Sequence, residues 1–268
     1  MNNQVVAHRS GTRGSPVFVE RLTKIFPSTN GANGRMVLRE LTLTISEGEF
    51  CTIFGPNACG KTTLIRCIAG LQPFESGAIR IGDHGPGKGN IGYVFQNFSD
   101  SLFPWRTVQG NILFPLEWRI ANPAARRSRL ESLIAEFDID IPLDARVYEL
   151  SIGQKQLVCL LRAFIVEPEV LLLDEPFNSL DYETRMRMHQ VLQRLWLARQ
   201  TTTLFISHDP DEAIFLGQRV ILMSNREEGI RETFSCPFGY PRNRDILGSE
   251  QFIKLRRDIL SIFSDEDD

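Results

Sequence analysis

The stretch of the sequence best suited to chemistry combines glycines, a lysine and two threonines in a pattern that fits phosphate binding. Residues 50–63 read FCTIFGPNACGKTT, and the part that begins at Gly55 matches G-x-x-x-x-G-K-[ST]. Glycines let backbone N–H groups approach phosphate oxygens, and the N-terminus of a following helix adds positive partial charge. Lys61 can then contact the β- and γ-phosphates of a nucleotide, and the Thr62 hydroxyl can bind Mg²⁺. The predicted phosphate-binding residues are Gly55, Pro56, Asn57, Ala58, Cys59, Gly60, Lys61, Thr62 and Thr63.

A second motif supplies the acidic groups that nucleotide hydrolysis needs. The run Leu171–Leu173 reads as a buried strand and is followed directly by Asp174 and Glu175. Ligands of open α/β sheets collect at the carboxyl ends of strands, so we expect Asp174 to hold Mg²⁺ directly or through water. Glu175 is then placed to accept a proton from the attacking water, or to orient it. Two alternatives are a chance glycine-rich turn at the first motif and solvated acids that merely end a strand at the second.

The elements around these motifs predict an α/β fold. Strand-patterned runs such as Phe50–Phe54, VLLLDEP and TTTLFISHD alternate with helix-patterned segments, which favours a largely parallel sheet covered on both faces. Leu41, Leu43 and Ile45 alternate with threonines, as in a half-buried strand. SGAIRIGD and the loop after it suggest a small antiparallel edge sheet.

The chain divides into one α/β domain with an insertion and two ends of different character. Residues 1–16 are polar and are expected to form a disordered tail, and the main domain is expected to span 17–245. Within it, residues of about 97–165 are punctuated by prolines between helical patterns, which predicts an inserted helical subdomain. Residues 246–268 read as a C-terminal helix and an acidic tail.

Charge, hydropathy and cysteine usage bound the function class. The net charge of −3 gives no reason to expect nucleic acid as a partner. No apolar stretch approaches the 18 or more residues of a membrane span, and the first residues lack the apolar core of a signal peptide. The five cysteines show no CxxC spacing, which favours thiols in a reducing cytosol. We therefore expect a soluble cytoplasmic protein.

Further motifs make the sequence resemble the ATP-binding cassette (ABC) ATPases. Leu150-Ser151-Ile152-Gly153-Gln154 is similar to that family's LSGGQ signature, and Ser179-Leu180-Asp181 is similar to its D-loop. Gln96, His208 and Phe26 match its Q-loop glutamine, switch histidine and adenine-stacking aromatic residue. Taken singly, Gln96 is also explained as a polar strand end and Phe26 as a core residue. The resemblance covers about residues 17–245 and implies a P-loop NTPase core with an antiparallel β subdomain and an inserted α-helical subdomain.

The resemblance implies that the cofactors are ATP and Mg²⁺ and that one chain holds half of each complete site. Glu175, His208 and Gln96 would act in hydrolysis, with Thr62, Gln96 and Asp174 toward the metal. In the family, Ser151, Gly153 and Gln154 close on ATP held by a second cassette, and Asp181 lies at the same interface. A Ser-x-Gly before a helix is also explained by an N-cap alone. Ile152 replaces a glycine of the signature, and its Cβ is expected to restrict the backbone and weaken the closed dimer.

The segment LFPWRTV places Leu102, Phe103, Pro104 and Trp105 on an expected exposed loop, unless Trp105 pins that loop into the core. It resembles the LLPWRTV of importer ATPases for nitrate, sulfonate, taurine and related small anions. This implies an energy-coupling subunit on the cytoplasmic face of the membrane, bound to a permease through the helical subdomain and to a second cassette, identical or paralogous. The alternatives are the ATPase of another ABC system, such as lipid or export machinery, and a soluble ABC ATPase outside transport.

Overall fold

The computed structural model describes residues 14–27, 34–225 and 229–264. Most of the predicted N-terminal tail (1–13), most of the loop STNGANGR (28–33) and the acidic end (265–268) lie outside the described residues. Residues 14–16 differ from the expected disorder because residues just before two of the strands bind them. Gly14 N–H donates to the Gln200 carbonyl at 2.9 Å and Ser15 Oγ to Glu169 Oε2 at 3.0 Å.

Nine strands and eight helices make up the described part of the chain. The strands are β1 (Val17–Phe26), β2 (Arg35–Ile45), β3 (Phe50–Phe54), β4 (Ser76–Ile81), β5 (Ile91–Val94), β6 (Val170–Asp174), β7 (Thr202–Ile206), β8 (Arg219–Met223) and β9 (Ile230–Ser235). The helices are α1 (Lys61–Ile68), α2 (Phe98–Ser101), α3 (Val108–Leu113), α4 (Pro123–Phe137), α5 (Ile152–Phe164), α6 (Tyr182–Arg199), α7 (Pro210–Leu216) and α8 (Glu250–Ser264).

The strands form two sheets. A six-stranded sheet has the order β5-β6-β7-β3-β8-β9, in which all neighbours are parallel except the antiparallel pair β8–β9. A three-stranded antiparallel sheet has the order β2-β1-β4. The parallel strands β3, β6 and β7 are buried along their whole length, as expected for strands covered on both faces. The predicted α/β fold with an added antiparallel sheet is thus confirmed.

Two hydrophobic cores lie on opposite faces of the large sheet. Side chains alternate along β3, so that Cys51 and Ile53 join the core shared with α1 and the small sheet. Phe50 and Phe54 point to the other core, which is shared with α5, α6, α7 and α8. Helix α1, which follows the glycine-rich loop, packs in the core shared with the small sheet, whereas strand β3 before the loop contributes side chains to both cores.

The predicted helical insertion consists of α2 to α5 and the loops between them. Leu130, Leu133 and Phe137 of α4 are buried, as the helical spacing of apolar residues predicted. Leu102 differs from the expectation of an exposed loop, because it is only 4% exposed and packs in the larger core. Trp105 is 68% exposed and does not pin the loop into that core.

Strand β9 and helix α8 complete the fold. Strand β9 was not predicted, because its sequence IRETFS carries little apolar alternation at the edge of the sheet. Helix α8 lies within the segment expected to form a C-terminal helix, and it packs on the larger core through Phe252 and Ile259. No helix of the described residues combines the length and the hydrophobicity that crossing a bilayer requires.

Candidate functional site

The glycine-rich loop connects the end of β3 to the start of α1, where its chemistry requires it. Gly60 is the N-cap of α1 and adopts φ 103°, a left-handed conformation that favours glycine. A Cβ there would lie 2.7 Å from Leu38 Cδ2, so an added side chain would press on β2. Lys61 lies within the loop's curve and donates from Nζ to the carbonyls of Gly55 at 2.8 Å and Pro56 at 2.7 Å.

Asp174 at the end of β6 is brought next to the loop by the sheet order. Its Oδ1 accepts a hydrogen bond from Thr62 Oγ1 at 2.9 Å, and Tyr93 Oη lies 3.5 Å from its Oδ2. Burial raises the pKa of Asp174, opposed mainly by the hydrogen bond from Thr62. Burial likewise raises the pKa of Tyr93, and the Asp174 charge adds to that shift. Thr62 Oγ1 and Asp174 Oδ1, which are both predicted to face Mg²⁺, therefore lie within hydrogen-bond distance of each other.

Glu175 is the point where three separated segments converge. Its Oε2 accepts from Gln96 Nε2 at 3.1 Å, and His208 Nδ1 lies 3.8 Å from the same oxygen. Asn178 Nδ2 also donates to Oε2. Glu175 itself has φ 47°, a conformation uncommon for a residue with a side chain. Gln96 and His208, two of the predicted catalytic residues, thus each lie within 3.8 Å of the third, Glu175.

A cavity of about 450 Å³ opens between the loop and the small sheet, a volume within the range of small-molecule sites. It is lined by Phe26, Arg35, Val37, Asn57, Ala58, Gly60, Lys61, Thr62, Thr63, Gln96 and Glu175. The Lys24 ammonium lies 5.1 Å from the Phe26 ring centroid and is paired with Glu75 at 2.8 Å. Phe26 therefore lines the cavity with the Lys24 cation beside its ring.

The predicted signature residues lie apart from this cavity, at the N-terminus of α5. Ser151 is the N-cap, and it forms a reciprocal capping box with Gln154: Oγ accepts from Gln154 N–H at 3.3 Å, and Gln154 Oε1 accepts from Ser151 N–H at 3.0 Å. Asp181 caps α6 in the same way, with Oδ1 accepting from Thr184 N–H at 3.0 Å. None of these residues lines the cavity, so the chain presents two separate half-sites.

The expected backbone restriction at Ile152 is not found. Ile152 is the first residue of the right-handed helix α5, whose backbone conformation is open to all L residues, and its side chain is 52% exposed. The glycine that the local packing does require is Gly153, where a Cβ would lie 2.6 Å from Thr184 Cγ2.

Sequence reasoning missed several residues around the site. Tyr93 and Asn178 contact the two acidic groups, Lys24 lies beside Phe26, and Arg35 and Val37 line the cavity. Asn178 follows Glu175 by three residues, so its nearness along the chain was a usable signal. Lys24 lies only two residues before Phe26 on β1, whereas Tyr93, Arg35 and Val37 reach the site from other strands, and none of the four belongs to a sequence motif.

The fold and this site define a P-loop nucleotide-binding protein. The family model for the ABC transporter matches residues 38–178, more than half of the chain. The chain therefore belongs to the ABC transporter family, as an ATP-binding, ATP-hydrolysing subunit, and the predicted resemblance is confirmed.

Individual relatives and solved structures agree with this assignment. An uncharacterized ABC transporter ATP-binding protein of Methanocaldococcus jannaschii is 38% identical over 250 residues, covering 92% of this chain and 91% of that protein. The taurine import ATP-binding protein TauB of Escherichia coli is 35% identical over 238 residues, covering 85% and 91%. A dimeric ATP-binding cassette in a post-hydrolysis state with ADP and Pi superposes with a TM-score of 0.73 at 26% identity, covering 83% of this chain and all of that one.

Proposed function

We propose that this chain is the energy-coupling ATPase subunit of a binding-protein-dependent importer, for a small anion such as nitrate, sulfonate or taurine. The similarity to the taurine import protein over 85% of the chain supports the importer class. The solute itself would be bound by other chains, so its identity rests on the relatives and on the LFPWRTV segment.

In this proposal ATP lies in the cavity of 450 Å³, with adenine against Phe26 and phosphates in the loop from Gly55 to Thr63. The hydroxyl of Thr62 and the carboxylate of Asp174 are oxygen donors that suit Mg²⁺, with Gln96 nearby. No cluster of three His, Cys, Asp or Glu side chains occurs in the described ranges, which fits a cation that takes most of its ligands from phosphates and water. Bound Mg²⁺ would neutralise charge on the phosphates.

The chain's own groups would then position the attacking water. Glu175 is the proposed base or orienting group for this water. His208, which lies beside Glu175, would donate a hydrogen bond to the γ-phosphate. Hydrolysis of this kind depends on positioning and electrostatic stabilisation more than on covalent chemistry. The convergence of Gln96, His208 and Glu175 within 3.8 Å is the observation that carries this part of the proposal.

The test of the catalytic assignment is Glu175→Gln. We expect the turnover of ATP to fall by about 100-fold or more, the scale of a lost general base. The affinity for ATP should be retained, because the amide keeps the shape of the side chain. Turnover near that of the wild type would remove Glu175 from the role of base.

A second cassette is proposed to complete each site. Ser151, Gly153 and Gln154 lie at a helix N-terminus outside the cavity, where backbone N–H groups favour an anion. A related cassette has been solved as a dimer with ADP and Pi. With ATP, Glu175→Gln should migrate as a dimer in light-scattering chromatography. An exclusively monomeric state that hydrolyses ATP at the full rate would contradict this.

The proposed permease-binding surface is an aromatic row beside a groove of about 380 Å³ between β5 and the helical insertion. Phe103 and Phe114 stack at 4.4 Å and flank the exposed Trp105 and Trp118, which are 68% and 73% exposed. Arg106 is bonded to Glu117 at 2.5 Å and lies 4.8 Å from the Phe114 ring, so it holds the loop together. The two tryptophans, and not Arg106, are therefore the residues to change.

We expect Trp105→Ala/Trp118→Ala to lose co-purification with the cognate permease while ATP binding is retained. Ile253→Ala removes an exposed apolar side chain from α8 and serves as the control, since it should still co-purify. Intact co-purification of the double variant would contradict the proposed docking surface.

Recovery of the permease with the wild-type chain would also place the protein at the cytoplasmic face of the membrane. Neighbouring genes for a permease and a solute-binding protein would support import, whereas their absence would favour lipid or export machinery or a soluble ATPase.

A further inference from the structure

Three buried polar side chains, those of Ser207, Glu212 and His189, form a hydrogen-bonded row that begins at the residue before His208. Ser207 Oγ–H donates to Glu212 Oε2 at 2.5 Å, and the other carboxylate oxygen, Oε1, accepts from His189 Nε2 at 2.7 Å. Ser207, Glu212 and His189 are all at most 4% exposed. They come from the end of β7, from α7 and from α6, so the row joins three elements at one point.

The hydrogen bonds assign the protons along this row. Nδ1 of His189 is buried without a hydrogen-bond partner among the described residues, so a second ring proton would leave a buried N–H unsatisfied. Nε2, which faces the Glu212 carboxylate, therefore carries the donated proton, and the ring lies between Phe177 and Phe215, each 5.5 Å away. Glu212 accepts at both ends. Since Ser207 donates to the carboxylate and not to the imidazole, the row does not activate a nucleophile.

The row fixes the backbone on both sides of the switch histidine. Ser207 Oγ also accepts from Asp209 N–H at 3.0 Å, and Asp209 Oδ2 accepts from Arg185 Nη1 at 3.3 Å. Ser207 and Asp209 are thus tied to α6 and α7. His208 between them is not tied in this way, and its side chain is 53% exposed, with Nδ1 at 3.8 Å from Glu175.

We propose that Glu212 and His189 are positioning residues for ATP hydrolysis, which hold residues 207–209 so that His208 stays beside Glu175. The proposal rests on the proposed role of His208. The titratable and charged groups that face this segment are Glu175 from the end of β6, Arg185 and His189 from α6, and Asp209 and Glu212 from α7.

The first test compares two replacements of His189. His189→Leu removes the donor to Glu212, and we expect kcat to fall about tenfold, the scale of a small misplacement in an active site. His189→Gln keeps an N–H donor and should recover most of the lost kcat. The Kd for ATP should stay within about twofold in both, because the cavity lining is unchanged. Equal kcat values for the two variants, or a parallel loss of ATP affinity, would overturn the proposal.

A matched control separates positioning from general damage to α6. Gln193 lies one turn further along α6 and is bonded to Arg242, with Oε1 accepting from Arg242 N–H at 2.8 Å. Gln193→Leu removes a buried hydrogen bond of similar kind away from His208. It should lower the midpoint of urea unfolding and leave kcat close to that of the wild type. A kcat loss equal to that of His189→Leu would assign the effect to stability and overturn the proposal.

The second test is a double-mutant cycle on kcat with His208→Ala and Glu212→Gln. If Glu212 acts through His208, Glu212→Gln should lower kcat alone and add no further loss to His208→Ala. Losses that multiply would overturn the positioning role while leaving the role of His208 intact. Wild-type turnover of His208→Ala would overturn both, so the two failures are distinguishable.

Discussion

At the scale of single residues, the packing of the signature segment requires glycine at position 153, where there is no room for a side chain. The contact that Gly153 makes with Thr184 joins α5 to the start of α6, and there is no room for a Cβ between them. Thr184 cannot easily retreat, because its Oγ1 donates to Asp181 Oδ2 at 2.7 Å and its N–H donates to Oδ1. A steric limit thus connects the signature to the D-loop within one chain.

Gly153→Ala should therefore lower the free energy of unfolding by about 1–3 kcal/mol, the range for overpacked positions. Thr184→Ser removes the Cγ2 that the new methyl group would strike and keeps the hydroxyl that bonds Asp181. The double variant Gly153→Ala/Thr184→Ser should regain most of the loss in urea unfolding. Purely additive effects of the two substitutions would show that this contact does not limit the site.

At the scale of elements, β1 and the turn before β4 are joined by an ion pair beside Phe26. Lys24 is buried, and its Nζ donates to Glu75 Oε1 at 2.8 Å, while Ile25 N–H donates to Oε2 at 2.5 Å. The hydrogen bond from Lys24 is the main cause that holds the pKa of Glu75 below its usual range, and burial opposes it. The pair orders the end of β1 that carries the proposed adenine platform.

The sign of the resulting pH dependence follows from the lowered pKa. The pair contributes stability above the unfolded pKa of Glu75, about 4.3, and this contribution is lost as the pH falls through the lower folded value. The difference in unfolding free energy between wild type and Glu75→Gln should be below about 1 kcal/mol at neutral pH, because the carboxylate is partly exposed. It should shrink as the pH falls below about 4.3, measured by urea unfolding from neutral to acidic pH. A difference that grows as the pH falls would contradict the assignment.

Elements with contiguous signals could be predicted from sequence, and those defined by long-range pairing could not. The glycine-rich loop, the strand ending in Asp174 and helix α6 each carry their own periodicity or motif. Strand β9 has none, and it forms because β8 offers an unpaired edge for its backbone. The same division holds in the site. Lys61 and Glu175 lie in local sequence motifs, whereas Tyr93 contacts Asp174, and Lys24 contacts Glu75, only because of the order of the strands in the sheets.

At the scale of the whole molecule, the glycine-rich loop follows a strand, β3, that contributes side chains to both cores, so nucleotide binding should stabilise the entire domain. A ligand that binds only the folded state adds about 2.7 kcal/mol when its free concentration is about 100 times Kd. ATP with Mg²⁺ should therefore raise Tm in a thermal shift assay by several degrees. Chelation of the metal by EDTA should remove most of that increase.

Lys61→Ala is the matched variant for this measurement. It removes the proposed contact to the β- and γ-phosphates, so the ATP-dependent increase in Tm should largely disappear. Thermal stability without nucleotide serves as the control, because without nucleotide the Lys61 ammonium bonds within the loop itself, to the carbonyls of Gly55 and Pro56. An unchanged response to ATP would count against the assignment of the phosphate loop.

The tie between the signature helix and the D-loop has a consequence for timing in the proposed dimer. Gln156 Nε2 on α5 donates to Ser179 Oγ at 3.2 Å, and Ser179 follows Glu175 by only four residues. In that dimer, Ser151 of one chain faces the first nucleotide while Glu175 of the same chain acts on the second. Movement of α5 at one γ-phosphate would displace the base at the other, so the two ATP molecules would be consumed in a correlated sequence and not as independent events.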